Sequence, residues 1–182
     1  MAGAGRSKKP AKLDGEKLWT YAVRALGARA MASGEIRTRL QRRAENPPDI
    51  DAVIGKLKEY GYLNDKKFAE NYASARLENA GLGKQRVLRD LRQRRVAPPL
   101  AEKAVDDTYA GSDEVVLIEE YLAKKFRNVN LGLTLRDPAK LASAFRKLRY
   151  AGFSAGNSIR VLKRYSERAG EIEEDSADPL AE

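Results

Sequence analysis

Gly34–Ala44 reads GEIRTRLQRRA, Lys84–Val96 reads KQRVLRDLRQRRV and Lys140–Gly152 reads KLASAFRKLRYAG. Each stretch holds apolar residues at helical spacing, surrounds them with Arg and Lys, and is followed by a turn and another short helical pattern. With Leu40, Leu91 and Leu148 in register, the copies lie roughly fifty to sixty residues apart, at or just beyond the usual period of helical repeats. A fold that repeats a basic helix repeats a positive surface, and a long polyanion suits such a surface.

Working outward from these segments, the spacing predicts three triplets of short helices. The first covers residues 16–62, with Leu18, Ala22, Ala25 and Leu26 on a helix that should end near Ala32. Ser33-Gly34-Glu35 offers a cap for the next helix, which turns Ile36 and Leu40 inward. Asn46-Pro47-Pro48-Asp49 breaks the chain, since proline lacks the amide donor and restricts the residue before it. A third helix follows, with Val53, Ile54 and Leu57 inward and a glycine stop at Tyr60-Gly61.

The second triplet, 63–110, starts at the capping pair Asn64-Asp65 with Phe68, Ala69, Tyr72, Ala73 and Leu77. After Gly81-Leu82-Gly83 comes the basic helix with Val87, Leu88 and Leu91, then Ala97-Pro98-Pro99, then Leu100, Ala104 and Val105. The third, 111–166, opens at Ser112-Asp113 with Val116, Ile118, Tyr121 and Leu122. A loop is expected from Asn128 to Asp137. Pro138 suits a first helical position, Leu141, Ala144, Phe145 and Leu148 face inward, and Ile159, Val161 and Leu162 close the unit. No sustained alternation predicts a strand. Residues 1–15 read as a disordered basic arm and 167–182 as a disordered acidic tail.

Charge narrows the function. The 182 residues carry 35 Lys plus Arg against 26 Asp plus Glu, a net +9. Between Lys17 and Ser166 the balance is 30 basic to 17 acidic. Such a surplus suits nucleic acid or another anionic surface. With no cysteine and no histidine, disulfides, thiolate or imidazole metal sites and histidine-based catalysis are excluded. No cofactor or metal is expected. The N-terminus lacks the apolar stretch of a secretory signal, and no run approaches the roughly 18 apolar residues of a membrane span. The expected location is cytoplasmic.

Within the basic segments the candidate phosphate-binding residues are Arg37, Arg39, Arg42 and Arg43, then Lys84, Arg86, Arg89, Arg92 and Arg94, then Lys140, Arg146, Lys147 and Arg149. In the second copy, Arg86, Arg89 and Gln93 share one side of the helix while Val87, Leu88 and Leu91 occupy the other. A solvated charged face would account for any one of these helices. Segments 34–43, 84–95 and 140–149, however, carry four, six and four basic residues against one, one and no acidic residue. That repetition favours polyanion binding.

Trp19, Tyr62, Tyr72, Phe145 and Phe153 fall at inward or helix-end positions and are expected in the core, which favours backbone contacts over base stacking. Neighbouring carboxylates at Asp106-Asp107 and Glu119-Glu120 diverge by about 100° on a helix and make poor acid/base or metal pairs. Gly81-Leu82-Gly83-Lys84 lacks the spacing and preceding strand of a phosphate loop. An enzyme is not expected.

Several segments together resemble the RecX family of bacterial regulators of the RecA recombinase, over about Leu18 to Arg164. Gly61-Tyr62-Leu63-Asn64-Asp65-Lys66-Lys67-Phe68-Ala69 is similar to the family's glycine, apolar, Leu, Asp/Asn-Asp, x, basic, Phe-Ala segment. Gly81-Leu82-Gly83-Lys84-Gln85-Arg86-Val87 resembles Gly-x-Gly-Pro-x-Arg-apolar, with Lys84 where proline is usual. Leu148-Arg149-Tyr150-Ala151-Gly152-Phe153-Ser154 resembles Leu-x-x-x-Gly-Phe-Ser. Asn46-Pro47-Pro48 occupies a connection that often contains glycine in the family.

The resemblance implies an all-α fold of three tandem three-helix repeats, helix-turn-helix-like, in an elongated, curved molecule. It implies a negative modulator that binds RecA–DNA filaments and inhibits ATPase, strand-exchange and coprotease activities. The implied partners are the RecA nucleoprotein filament and DNA, single-stranded first and double-stranded second, with the chain a monomer and no membrane involved. A free-standing helix-turn-helix-type DNA-binding or transcription protein is the main alternative, although no single recognition helix stands out. A helical protein-interaction scaffold is a third, and would show negligible affinity for DNA.

Overall fold

A computed structural model describes residues 11–171. The described chain is helical: α1 Gly15–Ala28, α2 Ser33–Gln41, α3 Pro47–Glu59, α4 Asp65–Ala75, α5 Lys84–Gln93, α6 Pro98–Tyr109, α7 Glu114–Lys125, α8 Leu131–Thr134, α9 Pro138–Ala151 and α10 Ala155–Leu162. A π-helical turn, Arg76–Ala80, extends α4, and a 3₁₀ turn, Glu167–Glu171, follows α10. No strand forms among the described residues. There is one isolated bridge between Leu13 and Ala44.

Helix starts follow local chemistry. Asp14, Asp113, Asp137 and Ser154 accept backbone N–H bonds at the starts of α1, α7, α9 and α10, satisfying donors that have no partner inside the helix. The side chain of Asn64 does the same for Lys67 at the start of α4 (3.0 Å). Both proline pairs lie inside the first turns of α3 and α6, where a missing amide hydrogen removes nothing the helix needs. They mark helix starts as well as chain breaks.

Several local expectations are corrected. The first helix ends at Ala28, with Arg29 extended, rather than near Ala32. Met31 and Ala32 are buried in the link that follows. Ser33 does not cap α2 with its side chain. It lies inside the helix with its hydroxyl unpartnered, and its N–H donates to Asp65 Oδ1 (2.7 Å). A carboxylate acceptor makes the stronger bond, and it comes from 32 residues further along the chain.

In place of an unbroken loop over 128–137, Asn130 caps the one-turn α8, and Leu135 beyond it is fully buried. Ala101 and Val115 point inward, whereas Leu100 is half-buried and Val116 is exposed. Of the expected arm and tail, residues 1–10 and 172–182 lie outside the described residues. Leu13 instead pairs with the chain after α2, its N–H donating to Arg43 O (2.8 Å) and its carbonyl accepting from Glu45 (2.9 Å). Ala169 is buried against the last helices.

The described chain forms two compact units. One runs up to Phe68 and includes Arg94–Val96; the other comprises Ala69–Gln93 and the chain from Ala97 onward. In the first, α1, α2 and α3 enclose Leu18, Ile36, Leu40, Ile50, Val53, Ile54 and Leu57. In the second, α7, α9 and α10 enclose Ile118, Leu122, Leu141, Phe145, Leu148, Phe153 and Leu162. Each buried side chain of this kind contributes roughly 1.5–3 kcal/mol of transfer free energy, so the apolar stripes, not the charged faces, hold the helices.

Within the second unit, α9 ends against the start of α5. Gly83 N–H donates to Ala151 O (2.8 Å) and Gln85 N–H to Gly152 O (3.2 Å). The last carbonyls of one helix thereby satisfy the first donors of another, with complementary dipole ends facing. The fit requires glycine on both sides. A Cβ on Gly83 would lie 2.4 Å from Gly152 C, and one on Gly152 would lie 2.2 Å from Arg86 N. Gly152 also closes α9 in the left-handed region, at φ 92°.

Gly152→Ala should therefore combine left-handed strain, roughly 1–2 kcal/mol, with an overpacking penalty of about 1–3 kcal/mol. Gly61 is also left-handed (φ 74°), yet a Cβ there meets nothing within 4 Å, so Gly61→Ala should cost only the left-handed strain, roughly 1–2 kcal/mol. Urea unfolding of the two variants checks this. Equal losses would contradict the close-contact reading.

Candidate nucleic-acid interface

The apolar stripes decide where the cations point. Ile36 and Leu40 anchor α2, Val87 and Leu91 anchor α5, and Leu141, Ala144, Phe145 and Leu148 anchor α9, all buried. Arginines and lysines between these anchors are driven toward solvent.

In the first unit, Arg37 pairs with Asp51 (2.7 Å), and Glu35 gathers Arg29, Arg39 (3.9 Å) and Arg94 (3.8 Å). The Arg43 guanidinium sits 5.4 Å from the centre of the Tyr21 ring, a cation–π distance. Arg42 at the end of α2 is exposed and makes no ion pair among the described residues.

In the second unit, Lys84 pairs with Asp106 (2.5 Å) and Arg92 with Glu102 (3.2 Å), tying α5 to α6. Arg86 donates through Nε to Asp90 (2.9 Å) and through Nη1 to Tyr150 O (3.3 Å), while Tyr72 donates to the same Asp90 carboxylate (3.1 Å). Arg86 is thus a brace across the α9–α5 joint. Arg149 donates to Phe153 O (2.5 Å). Lys147 lies over Phe126 at 5.1 Å. Arg89 is half-buried, Lys140 and Arg146 are exposed, and none of the three forms an ion pair among the described residues. The thirteen candidates therefore separate into braces and a smaller set of uncommitted cations: Arg42, Arg89, Lys140 and Arg146.

The joint borders a cleft of about 610 Å³ in the second unit, lined by Lys84, Gln85, Tyr109, Glu114, Arg149 and Ser154 among others. Its polar groups are largely committed. Glu114 accepts from Ser154 N (2.8 Å), Ser154 Oγ (2.6 Å) and Asn157 Nδ2 (2.6 Å), placing a carboxylate at the start of α10 where the dipole favours it. Tyr109 donates its hydroxyl to Leu82 O (2.6 Å), and burial pushes its phenol up to about 12. It is a neutral donor near pH 7, not a base. Asp106, Asp107 and Glu119 pair with Lys84, Lys103 and Arg164, in keeping with their divergence on the helices. Among the described residues no group of acidic side chains is arranged to hold a metal, and no helix is long and apolar enough to cross a membrane.

The aromatic expectation divides. Phe145 and Phe153 are buried, and Tyr72 is half-buried and hydrogen-bonded. Tyr62 is 52% exposed, and Tyr60, which carried no functional reading, is 67% exposed. Both flank Gly61 just beyond α3. An aromatic-Gly-aromatic turn after a helix stop was the available signal, because such a turn has no second face to bury against.

The division into braces and uncommitted cations has a stability consequence. Arg86→Ala removes two charge-assisted bonds and should cost about 2 kcal/mol. Arg89→Ala should stay within about 0.5 kcal/mol of the parent. Chemical denaturation of both variants decides it, and an Arg86→Ala protein as stable as the parent would remove the bracing role.

Comparison with known proteins closes the identification. A family model described as "RecX, second three-helix domain" matches residues 64–105, the stretch from the start of α4 into α6. The regulatory protein RecX of Deinococcus radiodurans is 33% identical over 149 residues, covering 82% of this chain and 69% of that protein. The regulatory protein RecX of Mannheimia succiniciproducens is 32% identical over 109 residues, or 59% and 69% of the two chains. The crystal structure of RecX from Lactobacillus salivarius superposes with a TM-score of 0.60 at 18% identity, over 83% of this chain and 96% of that one, which establishes the likeness of fold. With its all-helical architecture and three-helix domains, the chain belongs to the RecX family of non-enzymatic regulatory proteins.

Proposed function

We propose that this chain is a negative modulator of the RecA recombinase that docks on RecA–DNA filaments through the basic helices α2, α5 and α9. The observation that supports this most is the set of uncommitted cations, Arg42 at the end of α2, Arg89 on α5, and Lys140 and Arg146 on α9. Each basic helix carries at least one along it or at its end, beside cations that are already paired. Guanidinium groups without a carboxylate partner carry no competing ion pair to break when they meet a phosphate. Three tandem repeats, 16–62, 63–110 and 111–166, would offer such groups at successive places along a filament. Occupying those places restrains subunit exchange and hydrolysis, which accounts for the expected inhibition of ATPase, strand exchange and coprotease cleavage.

RecA ATPase on single-stranded DNA, measured with increasing amounts of this protein, is the direct test. Substoichiometric inhibition is expected. The triple charge reversal Arg42→Glu/Arg89→Glu/Arg146→Glu should raise the concentration needed for half-inhibition by roughly tenfold or more while leaving helicity intact. Undiminished ATPase at molar excess would overturn the modulator reading. A protein that instead selects one duplex sequence and leaves RecA alone would be a free-standing DNA-binding protein.

A further inference from the structure

We propose that the groove between α1 and the C-terminal end of α3 is a base-stacking site for single-stranded nucleic acid. Trp19 stands against Tyr60 and Tyr62, with ring centres 5.8 and 6.1 Å apart and planes inclined at 64° and 77°. The pairs are edge contacts, each covering the face of one ring only, so ring surface on the exposed tyrosines is left for a planar ligand. Tyr60 and Tyr62 expose 67% and 52% of their surface. The core of this unit is filled by Leu18, Leu57 and their neighbours, and Trp19 packs half-buried against it, with the exposed Tyr60 and Tyr62 against its ring.

The groove at this cluster, about 500 Å³, is lined by Trp19, Tyr60 and Lys56 together with Gly15, Glu16 and Thr20. Lys56 lies one turn before Tyr60, Lys58 is in the same last turn of α3, and both are exposed without an ion pair among the described residues. Ring faces beside unpaired ammonium groups match the two parts of a nucleotide: a base to stack and a phosphate to neutralise. Glu16 on the α1 wall repels phosphate, which places the strand's backbone on the α3 side. A duplex hides its base faces within the stack, so the occupant is a single strand. The site is independent of the filament reading, because a naked strand suffices to fill it.

Trp19 is the only tryptophan of the chain, so fluorescence excited selectively in the indole band, beyond tyrosine absorption, reports on this groove alone. Titrating the full chain with a thymidine oligonucleotide of about 16 nucleotides should quench Trp19 saturably, in step with the anisotropy of a labelled strand. Tyr60→Ala and Tyr62→Ala should each weaken binding roughly tenfold, whereas Tyr150→Ala, a comparably exposed tyrosine of the other unit, should not. A duplex of the same length should leave Trp19 unquenched. A uridine oligonucleotide in parallel tells DNA from RNA, and quenching by either supports the site. Strand binding without Trp19 quenching, no strand binding, or quenching only when a protein partner is added would each overturn the proposal. Lost quenching with RecA inhibition retained would sink this site and leave the filament reading intact.

Discussion

The contact between Gly152 and Gly83 governs how the second unit is put together. Two helices meet end to start, with the carbonyls of Ala151 and Gly152 accepting from the first N–H groups of α5. No side chain fits between them. The approach fixes the start of α5 relative to the end of α9, and Arg86 spans the same gap to Tyr150 O. Two of the three basic helices are therefore positioned by backbone bonds, which leaves their outward side chains free of structural duty except where a brace is needed. The motifs containing Gly81-Leu82-Gly83 and Gly152-Phe153-Ser154 lie far apart in sequence and form one joint in space.

The first unit holds a comparable close approach. A Cβ on Gly34 near the start of α2 would lie 2.4 Å from Arg95 O, and Arg95 is the one non-glycine residue at positive φ among those described (60°). Arg95 lies four residues beyond Leu91, as Gly152 lies four beyond Leu148. The repeat is thus visible in backbone conformation as well as in apolar spacing. Arg95 carries the left-handed turn with a Cβ, a conformation that costs an L-residue about 1–2 kcal/mol. Salt bridges from Arg94 and Arg29 to Glu35 lie beside it. They are partly exposed pairs, each worth about 1 kcal/mol at most.

Most of the helical architecture was legible in the sequence because local signals agreed with burial. Period, proline pairs, Asx caps and glycine stops all pointed to the same helices, and Leu40, Leu91 and Leu148 are all fully buried as their register required. What escaped reading depended on distant partners. Asp65 caps α2 from another helix, Leu135 draws a loop into the one-turn α8, and Leu13 pairs beyond the end of α2. The basic helices were legible as a set, but the division of labour within them was not. Helical spacing alone gives Arg86 and Arg89 the same polar side. Only the positions of Asp90 and Tyr150 make the first a brace and leave the second uncommitted. Tyr62 was misjudged for a related reason: proximity to a helix end was taken for burial, whereas it is exposed.

Binding through uncommitted cations carries a thermodynamic signature that binding through apolar or neutral contacts lacks. Each phosphate neutralised by a guanidinium or ammonium group releases condensed counterions, so affinity falls with added salt in proportion to the number of such contacts. The measurement that tests the account most directly is the affinity of the intact chain for RecA-coated single-stranded DNA across a series of salt concentrations. A linear fall of log K with log salt, with a slope of roughly −2 to −4 for three to five phosphate contacts, is predicted. A flat line would contradict the central claim, because the repeated basic surface would then carry no part of the docking.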